Sequence, residues 1–405
     1  MRKQAHSLIV YLPTSLFTLV MVVVLLHNGC SVFYVSLSFP SRRPNLGPPS
    51  DKPAKESQST ASLAMLVMKE EPPSVPSTNR SSPRSTTFKR SKAKLRVAKL
   101  GQTSKHFSKR ITTFFRKCHC RGHFFMTWID SLSLFDKREV FAMESLFKTH
   151  PNACLVIVSN SMDSDKGRRI LSPFLRKGYR VIACKPDFDS LFKGTHARLW
   201  FEKLKRGRVN PGAVSLGQNV SNLLRLALLY KFGGIYLDTD VVVLKNLLKL
   251  RNAIGAQTMD FESGQWTRLN NAVLVFDKSH PLLFKFIQEF ALTFDGSKWG
   301  HNGPYLVSRV VSRVIGRKGF ENVTVLPPNA FYPVNWRSVG GIFREPRDRI
   351  QSEWLKHKMK QIKDESFTIH LWNKQSKLLR IEEASFVARI MLEYCLFCNS
   401  SNFYY

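Results

Sequence analysis

The chain has 405 residues, 43% hydrophobic and 12% aromatic, which is enough apolar material for a sizeable core and excludes a wholly disordered protein. Its 62 Lys+Arg against 29 Asp+Glu leave a formal charge of +33, which points to nucleic acid, an anionic membrane surface or acidic small molecules as partners. Seven cysteines are too few for a disulfide-dense scaffold.

Residues 7–26 form an uncharged run rich in Leu, Val, Ile and Phe, long enough to cross a bilayer as a helix. Arg2 and Lys3 precede it, and no further Lys or Arg occurs until Arg42. That asymmetry puts residues 1–6 in the cytosol and the bulk of the chain in a lumen, as a type II signal anchor. A cleaved signal peptide is the rival reading, with a weak cleavage candidate at Ser36-Leu37-Ser38. Residues 27–117 read as a disordered basic stem. Pro, Ser, Thr, Lys and Arg dominate, and residues 40–117 hold 18 Lys+Arg against 4 Asp+Glu. A luminal stem excludes nucleic acid as its partner.

From Cys118 strand and helix signals alternate. Apolar runs predict strands over 123–129, 154–158 and 179–183, and helical spacing predicts helices over 137–148, 166–177 and 191–205. Continuous apolar strands separated by helices describe an α/β sheet covered on both faces. The clearest helix is 218–231, with Val220, Leu223, Leu224, Ala227 and Leu228 on one face and Gln218, Asn222 and Arg225 along one ridge. Gly233-Gly234 ends it, and Ile235-Tyr236-Leu237 starts a strand at once.

Asp238-Thr239-Asp240 follows, set between apolar runs. In an extended segment both carboxylates point to one side, although a turn splays them. Two carboxylates in apolar surroundings need neutralisation, and a divalent cation such as Mn²⁺ or Mg²⁺ supplies it through oxygen ligands while keeping positions open for phosphates. An isolated Asp-x-Asp is a weak signal; the helix, glycine stop and strand before it strengthen it.

Ser221-Asn222-Leu223-Leu224-Arg225, followed by Leu229-Tyr230-Lys231-Phe232-Gly233-Gly234-Ile235-Tyr236-Leu237-Asp238-Thr239-Asp240, resembles the DXD-containing glycosyltransferases of the α-1,4-glycosyltransferase family, the relatives of globotriaosylceramide synthase. Trp266-Thr267-Arg268-Leu269-Asn270-Asn271-Ala272, Lys298-Trp299-Gly300-His301-Asn302-Gly303-Pro304 and His370-Leu371-Trp372-Asn373-Lys374 look like blocks of its plant members. The resemblance implies a GT-A fold over 118–405: a single Rossmann-like mixed sheet flanked by helices. It implies a retaining, Mn²⁺-dependent enzyme of the Golgi membrane that moves a hexose or N-acetylhexosamine from a UDP-sugar donor to a glycan or glycolipid acceptor. The alternative is a relative that binds glycans or nucleotide sugars without turnover. Asp238 and Asp240 are then the catalytic metal ligands, and Arg225 lies near the nucleotide. Asn222 stands where many relatives carry an acid, so it offers a hydrogen bond and no charge.

Further candidates each carry a structural alternative. His370 is a third metal ligand or a core histidine beside Trp372. Thr127 and Trp128 end the first strand, where Trp128 stacks on uracil or serves as a core aromatic. Asn270 and Asn271 precede a strand over 272–276, as donor-sugar contacts or turn residues. Tyr236 adjoins the nucleotide site. His301, Asn302 and Gly303 open a helix from Tyr305, as acceptor or diphosphate contacts or as an ordinary helix start. Cys118, Cys120, Cys395 and Cys398 form disulfides or hold zinc, and Cys154 and Cys184 are buried thiols. Sequons lie at Asn79, Asn219, Asn322 and Asn399, and the place of Asn219 on the site helix argues against its glycosylation.

Overall fold

The computed structural model describes residues 103–398. The expected anchor over 7–26, and the expected stem as far as residue 102, lie outside them. Among the described residues no helix is long and apolar enough to cross a membrane.

The first element corrects the stem boundary. Helix α1 (Thr103–Cys118) covers fifteen residues that the composition assigned to a disordered tether. Phe107, Ile111 and Phe115 recur at every fourth position, and all three are buried. Six Lys, Arg and His residues lie between and beside them, which is why the segment reads as solvated. One apolar stripe is enough to dock a helix, whatever the opposite face carries.

Alternating elements follow: β1 (Gly122–Trp128), α2 (Lys137–Thr149), β2 (Ala153–Ser159), α3 (Asp165–Arg176) and β3 (Arg180–Cys184). Asp136 caps α2 in a reciprocal box with Glu139, which satisfies the free N–H groups of its first turn. The helix expected over 191–205 is two: α4 (Phe188–Phe192) and α5 (Ala197–Lys205), separated at Gly194, whose φ is 75°. Next come α6 (Leu216–Phe232), β4 (Gly234–Leu237) and β5 (Val241–Val243). The glycine stop after α6 is a steric requirement. Gly233 and Gly234 have φ of 68° and 117°, and a Cβ on either would strike the backbone of Lys278 or His123.

The second half contains β6 (Ala253–Met259), β7 (Trp266–Phe276), α7 (Pro281–Thr293), α8 (Pro304–Val314), β8 (Thr324–Leu326), α9 (Pro328–Phe331), α10 (Arg349–Glu365), β9 (Thr368–His370), α11 (Asn373–Ser376) and α12 (Phe386–Tyr394). Seven strands form one mixed sheet in the order β3-β2-β1-β4-β7-β6-β8. The first four run parallel, β7 is antiparallel to β4, and β6 is antiparallel to β7. Strands β5 and β9 form a separate antiparallel pair. Asn270 and Asn271 therefore sit inside β7, six and five positions before its end, and not in a turn ahead of a strand. The bulges where β7 meets β6 disrupt the alternation that would have revealed its true length.

Helices α6, α7 and α8 cover one face through Leu223, Leu226, Phe286 and Val307. Helices α2, α3 and α12 cover the other through Phe147, Phe174 and Phe386. Two disulfides join Cys120 to Cys154 and Cys395 to Cys398. The expectation that Cys154 is a free thiol is thus corrected: β1 and β2 are neighbours, which brings residue 154 beside the start of β1. Cys118 and Cys184 are free, and Cys184 is buried as expected.

If α1 belongs to the folded unit, Ile111→Ala lowers the unfolding free energy by about 2–5 kcal/mol, the usual loss for a fully buried aliphatic side chain. Denaturant titration of the purified protein measures it, and a midpoint unchanged from wild type would return the segment to the stem.

Candidate active site

The site is built where α6, the ends of β1 and β4, and the β5–β9 pair meet. Arg225 projects from α6 and is buried. All three of its guanidinium nitrogens are engaged. Nη1 donates to Asp238 Oδ2 at 3.0 Å and to the Asn271 carbonyl at 2.9 Å. Nη2 lies 3.0 Å from Asp238 Oδ1 and 3.2 Å from Ser221 Oγ, and Nε donates to the Ser221 carbonyl at 3.3 Å. The Tyr236 hydroxyl donates to Asp238 Oδ1 at 2.8 Å, and Thr127 Oγ1 is 2.8 Å from that hydroxyl and 2.6 Å from Ser221 Oγ. Arg225, Tyr236, Thr127 and Asp238 thus form one continuous polar network.

The chain turns after Asp238, with Val241 N–H donating to the Asp238 carbonyl at 3.1 Å. The turn carries Asp240 onto the second, smaller sheet. There the register pairs Val241 with His370, so His370 stands beside Asp240 by strand pairing. His370 Nε2 lies 3.2 Å from Asp240 Oδ1. Asp240 Oδ2 accepts from the Asn373 backbone N–H at 2.9 Å. That N–H is aimed by Trp372, whose φ of 53° is a left-handed conformation that bulky residues rarely adopt. The Trp372 ring packs nearly perpendicular to His370 with centroids 4.2 Å apart, and its Nε1 donates to the Val334 carbonyl at 2.7 Å. His370 is therefore both of the things its sequence suggested, an imidazole packed beside Trp372 and one facing the aspartates.

One donor atom from each of Asp238, Asp240 and His370 falls within 4.8 Å of the others. Two carboxylates and an imidazole are a suitable donor set for Mn²⁺ or a similar ion. The buried His370 Nδ1 has no hydrogen-bond partner, so the ring is not committed at both nitrogens. The electrostatics separate the two acids. Burial pushes the Asp238 carboxyl above its ordinary range, opposed by Arg225 and reinforced by the neighbouring Asp240. Burial acts the same way on Asp240, but His370 and the Asn373 N–H outweigh it and hold its carboxyl below the usual range. Burial disfavours the imidazolium of His370, and the Asp240 carboxylate reverses this and raises it.

Other candidates are placed less directly. Asn222 Oδ1 accepts from Asn271 Nδ2 at 2.9 Å, which joins α6 to β7 beside Arg225. Asn270 turns the other way, donating to Gln257 Oε1 and accepting from the Ala272 N–H, both at 2.9 Å. Trp128 is packed edge-on against Phe135 at 5.0 Å, and its Nε1 donates to the Ser131 carbonyl at 3.1 Å. That is a core aromatic's environment. Asn302 is buried between Asn219 and Asp295, and Gly303 lies so close to Asn222 that a Cβ would come 2.9 Å from its Oδ1. His301 Nε2 faces the Thr293 carbonyl at 2.8 Å, away from the aspartates. Asn219 is buried, which argues against glycosylation of its sequon in the folded protein, whereas Asn322 is exposed.

Sequence reasoning missed Ser221, Asn373 and Glu139. Ser221 has a helical spacing signal, four before Arg225. Glu139 has none: its Oε1 accepts from Asn373 Nδ2 at 3.1 Å across more than two hundred residues of chain. Burial, with the adjoining Asp136, pushes the Glu139 carboxyl up to about 7. A folded-state value above the unfolded one means the native state binds the extra proton between about pH 4.5 and 7. This contribution to stability is full below that window and is lost as pH rises through it. Glu139→Gln keeps an oxygen for the Asp136 N–H and should flatten the stability profile between pH 5 and 7.5. Thermal denaturation at stepped pH checks this, and an unaltered slope would show that Glu139 is ionised throughout.

Residues 136–260 match the model of the glycosyltransferase sugar-binding region containing DXD motif, and residues 275–402 match the alpha 1,4-glycosyltransferase conserved region. An uncharacterized protein of Arabidopsis thaliana is 32% identical over 306 residues, covering 74% of this chain and 45% of its own length. The chain thus spans less than half of that relative. Mouse lactosylceramide 4-alpha-galactosyltransferase is 32% identical over 63% of this chain and 68% of its own. Human alpha-1,4-N-acetylglucosaminyltransferase is 27% identical over 46% and 51%. Among solved structures, the galactosyltransferase LgtC has a TM-score of 0.36 at 12% identity over 69% of this chain and 98% of its own, a likeness too low to bear on function. The two motif regions and the relatives together show that the chain belongs to the alpha 1,4-glycosyltransferase family with the DXD sugar-binding region.

Proposed function

We propose that this chain is a retaining GT-A-type glycosyltransferase that moves a hexose or N-acetylhexosamine from a UDP-sugar to a glycan or glycolipid hydroxyl. The observation that carries the proposal is the convergence of Asp238, Asp240 and His370 from two separate sheets into one donor cluster. The class of sugar follows the relatives, whose names specify galactosyl and N-acetylglucosaminyl transfer. The ion held by these three side chains, Mn²⁺ or Mg²⁺, would supply Lewis-acid stabilisation of a departing diphosphate.

The chain's own residues do the rest. Arg225 neutralises Asp238 and holds it at the end of β4, and the Tyr236 hydroxyl fixes which carboxylate oxygen faces the network. With a divalent ion balancing both carboxylates, Arg225 leaves one surplus positive charge, suited to an anionic leaving group in a site shielded from water. Asn222, Asn271 and Gly303 close the wall on the α6 side. No covalent nucleophile is assigned; the reading is same-face attack with the leaving phosphate taking the acceptor proton. We place the enzyme in the Golgi membrane with residues 118–405 luminal. The charge asymmetry around 7–26 and the Cys120–Cys154 disulfide, which an oxidising compartment sustains, support that placement.

Two measurements test this. Mn²⁺ should raise the melting temperature of the wild-type protein and leave that of Asp240→Asn unmoved, since ligand at a hundredfold its Kd stabilises by about 2.7 kcal/mol. Equal shifts in both proteins would place the ion elsewhere. In a UDP-sugar hydrolysis and transfer assay, Asp238→Asn and Asp240→Asn should each lose at least about a hundredfold in kcat/KM, comparable to deleting one electrostatic stabiliser of a transition state. If the wild type turned over no UDP-sugar while still binding UDP, the chain would be a binding protein without turnover.

A further inference from the structure

A cavity of about 730 Å³ lies apart from the aspartates, between the end of α5, the segment after it, and the 293–301 segment. Its volume is in the range of small-molecule and saccharide sites. Three features give it a chemical character. Lys203 and Arg208 are exposed on its wall, and the nearby carboxylates are already engaged, Glu202 with Lys205 at 2.6 Å and Asp295 with Lys298 at 3.0 Å. Leu199 and Leu292, each 69% exposed, add apolar surface beside those cations. Trp200 also lines the wall, and its buried indole N–H has no hydrogen-bond partner. Unpaired cations and apolar faces together suit a sugar ring that carries a negative charge.

The cavity is mechanically joined to the aspartate site. Asn302 donates to Asn219 Oδ1 at 2.9 Å, and Asn219 precedes Ser221 and Asn222 on the same helix. Val214 N–H donates to the Gly296 carbonyl at 2.8 Å, which fixes the entry to α6 against the cavity floor. His301, expected at the acceptor or diphosphate, lines this cavity.

We propose that this cavity is a subsite for an anionic sugar residue of an extended acceptor, a uronate or a sulfated sugar, connected to the aspartate site through the 293–303 segment. The proposal rests on the glycosyltransferase reading for its role but not for its test, because binding is measured without donor. The probes are a glucuronate-terminated disaccharide, a sulfated disaccharide, their neutral counterpart and inorganic sulfate, titrated calorimetrically into the metal-free protein. At least one anionic disaccharide should bind about tenfold or more tighter than the neutral one, a difference of about 1.4 kcal/mol. The preference should shrink as salt rises from about 0.05 M to 0.5 M, because exposed charges are screened. Lys203→Ala/Arg208→Ala, two exposed positions outside the metal cluster, should abolish the preference. Asp240→Asn should keep it.

Equal affinity for charged and neutral disaccharides would overturn the proposal, as would a preference that survives in the double variant. Displacement of the bound disaccharide by an equal concentration of inorganic sulfate would also overturn it, since the site would then recognise a bare anion. A transfer assay separates the two readings. Wild-type protein that binds the anionic disaccharide yet turns over no UDP-sugar would leave the cavity intact and remove the enzyme. Active protein without the preference would do the reverse.

Discussion

The arrangement depends on a buried guanidinium that is fully satisfied. Taking Arg225 and Asp238 out of water costs several kcal/mol per ion before any gain is counted. The cost is offset because every nitrogen of the fork meets an acceptor, on the paired carboxylate, on Ser221 and on the Asn271 carbonyl. Those acceptors lie on α6, just past the end of β4 and on β7, so one side chain ties the helix to two central strands of the sheet. A lysine has neither the fork nor the donor count to do this.

That anchoring makes the two aspartates unequal. Asp238 is the positioned acid, bound on both oxygens by Arg225 and Tyr236, and burial works against its charge. Asp240 is the acid whose charge the surroundings favour, stabilised by His370 and by a backbone N–H. The division follows topology. Asp238 immediately follows β4 of the seven-stranded sheet, whereas Asp240 immediately precedes β5, and the β5–β9 register places His370 across from the next residue. The left-handed Trp372 is the local strain this geometry carries, and its ring is held by Val334 and the imidazole.

What was legible in the sequence follows the range of the interactions involved. Helix α6, the Gly233-Gly234 stop and the Asp-Thr-Asp turn are local patterns, and they appear close to where spacing put them. Asn222 and Arg225 share a helical ridge, so their common orientation could be read directly. The position of His370 beside Asp240 required a strand pairing across more than a hundred residues, which nothing in its neighbourhood encodes. Trp128 was ambiguous for the same reason: its neighbour Phe135 is close in sequence, but the orientation of its indole depends on a turn at Ser131. The longest miss was α1. Its apolar residues are spaced correctly for a helix, and only its basic composition suggested a tether.

The 293–303 segment shows how the fold links its two polar regions. At one end it forms the floor of the cavity lined by Trp200 and His301, and at the other Gly303 is pressed against Asn222. A glycine is needed there because α8 begins at Pro304 while the chain passes within contact distance of a side chain on α6. Asn302, buried and using its amide as both donor and acceptor, prevents the segment from sliding along the helix. The cavity floor is thus connected to Asn222 and through Asn271 to the carbonyl that holds Arg225. The path consists of packed amides rather than charges, so it is insensitive to ionic strength, unlike the exposed lysine and arginine on the cavity wall. The same fold therefore combines an exposed, salt-sensitive basic cavity wall with a buried cluster of Asp238, Asp240 and His370 held by short, directional bonds.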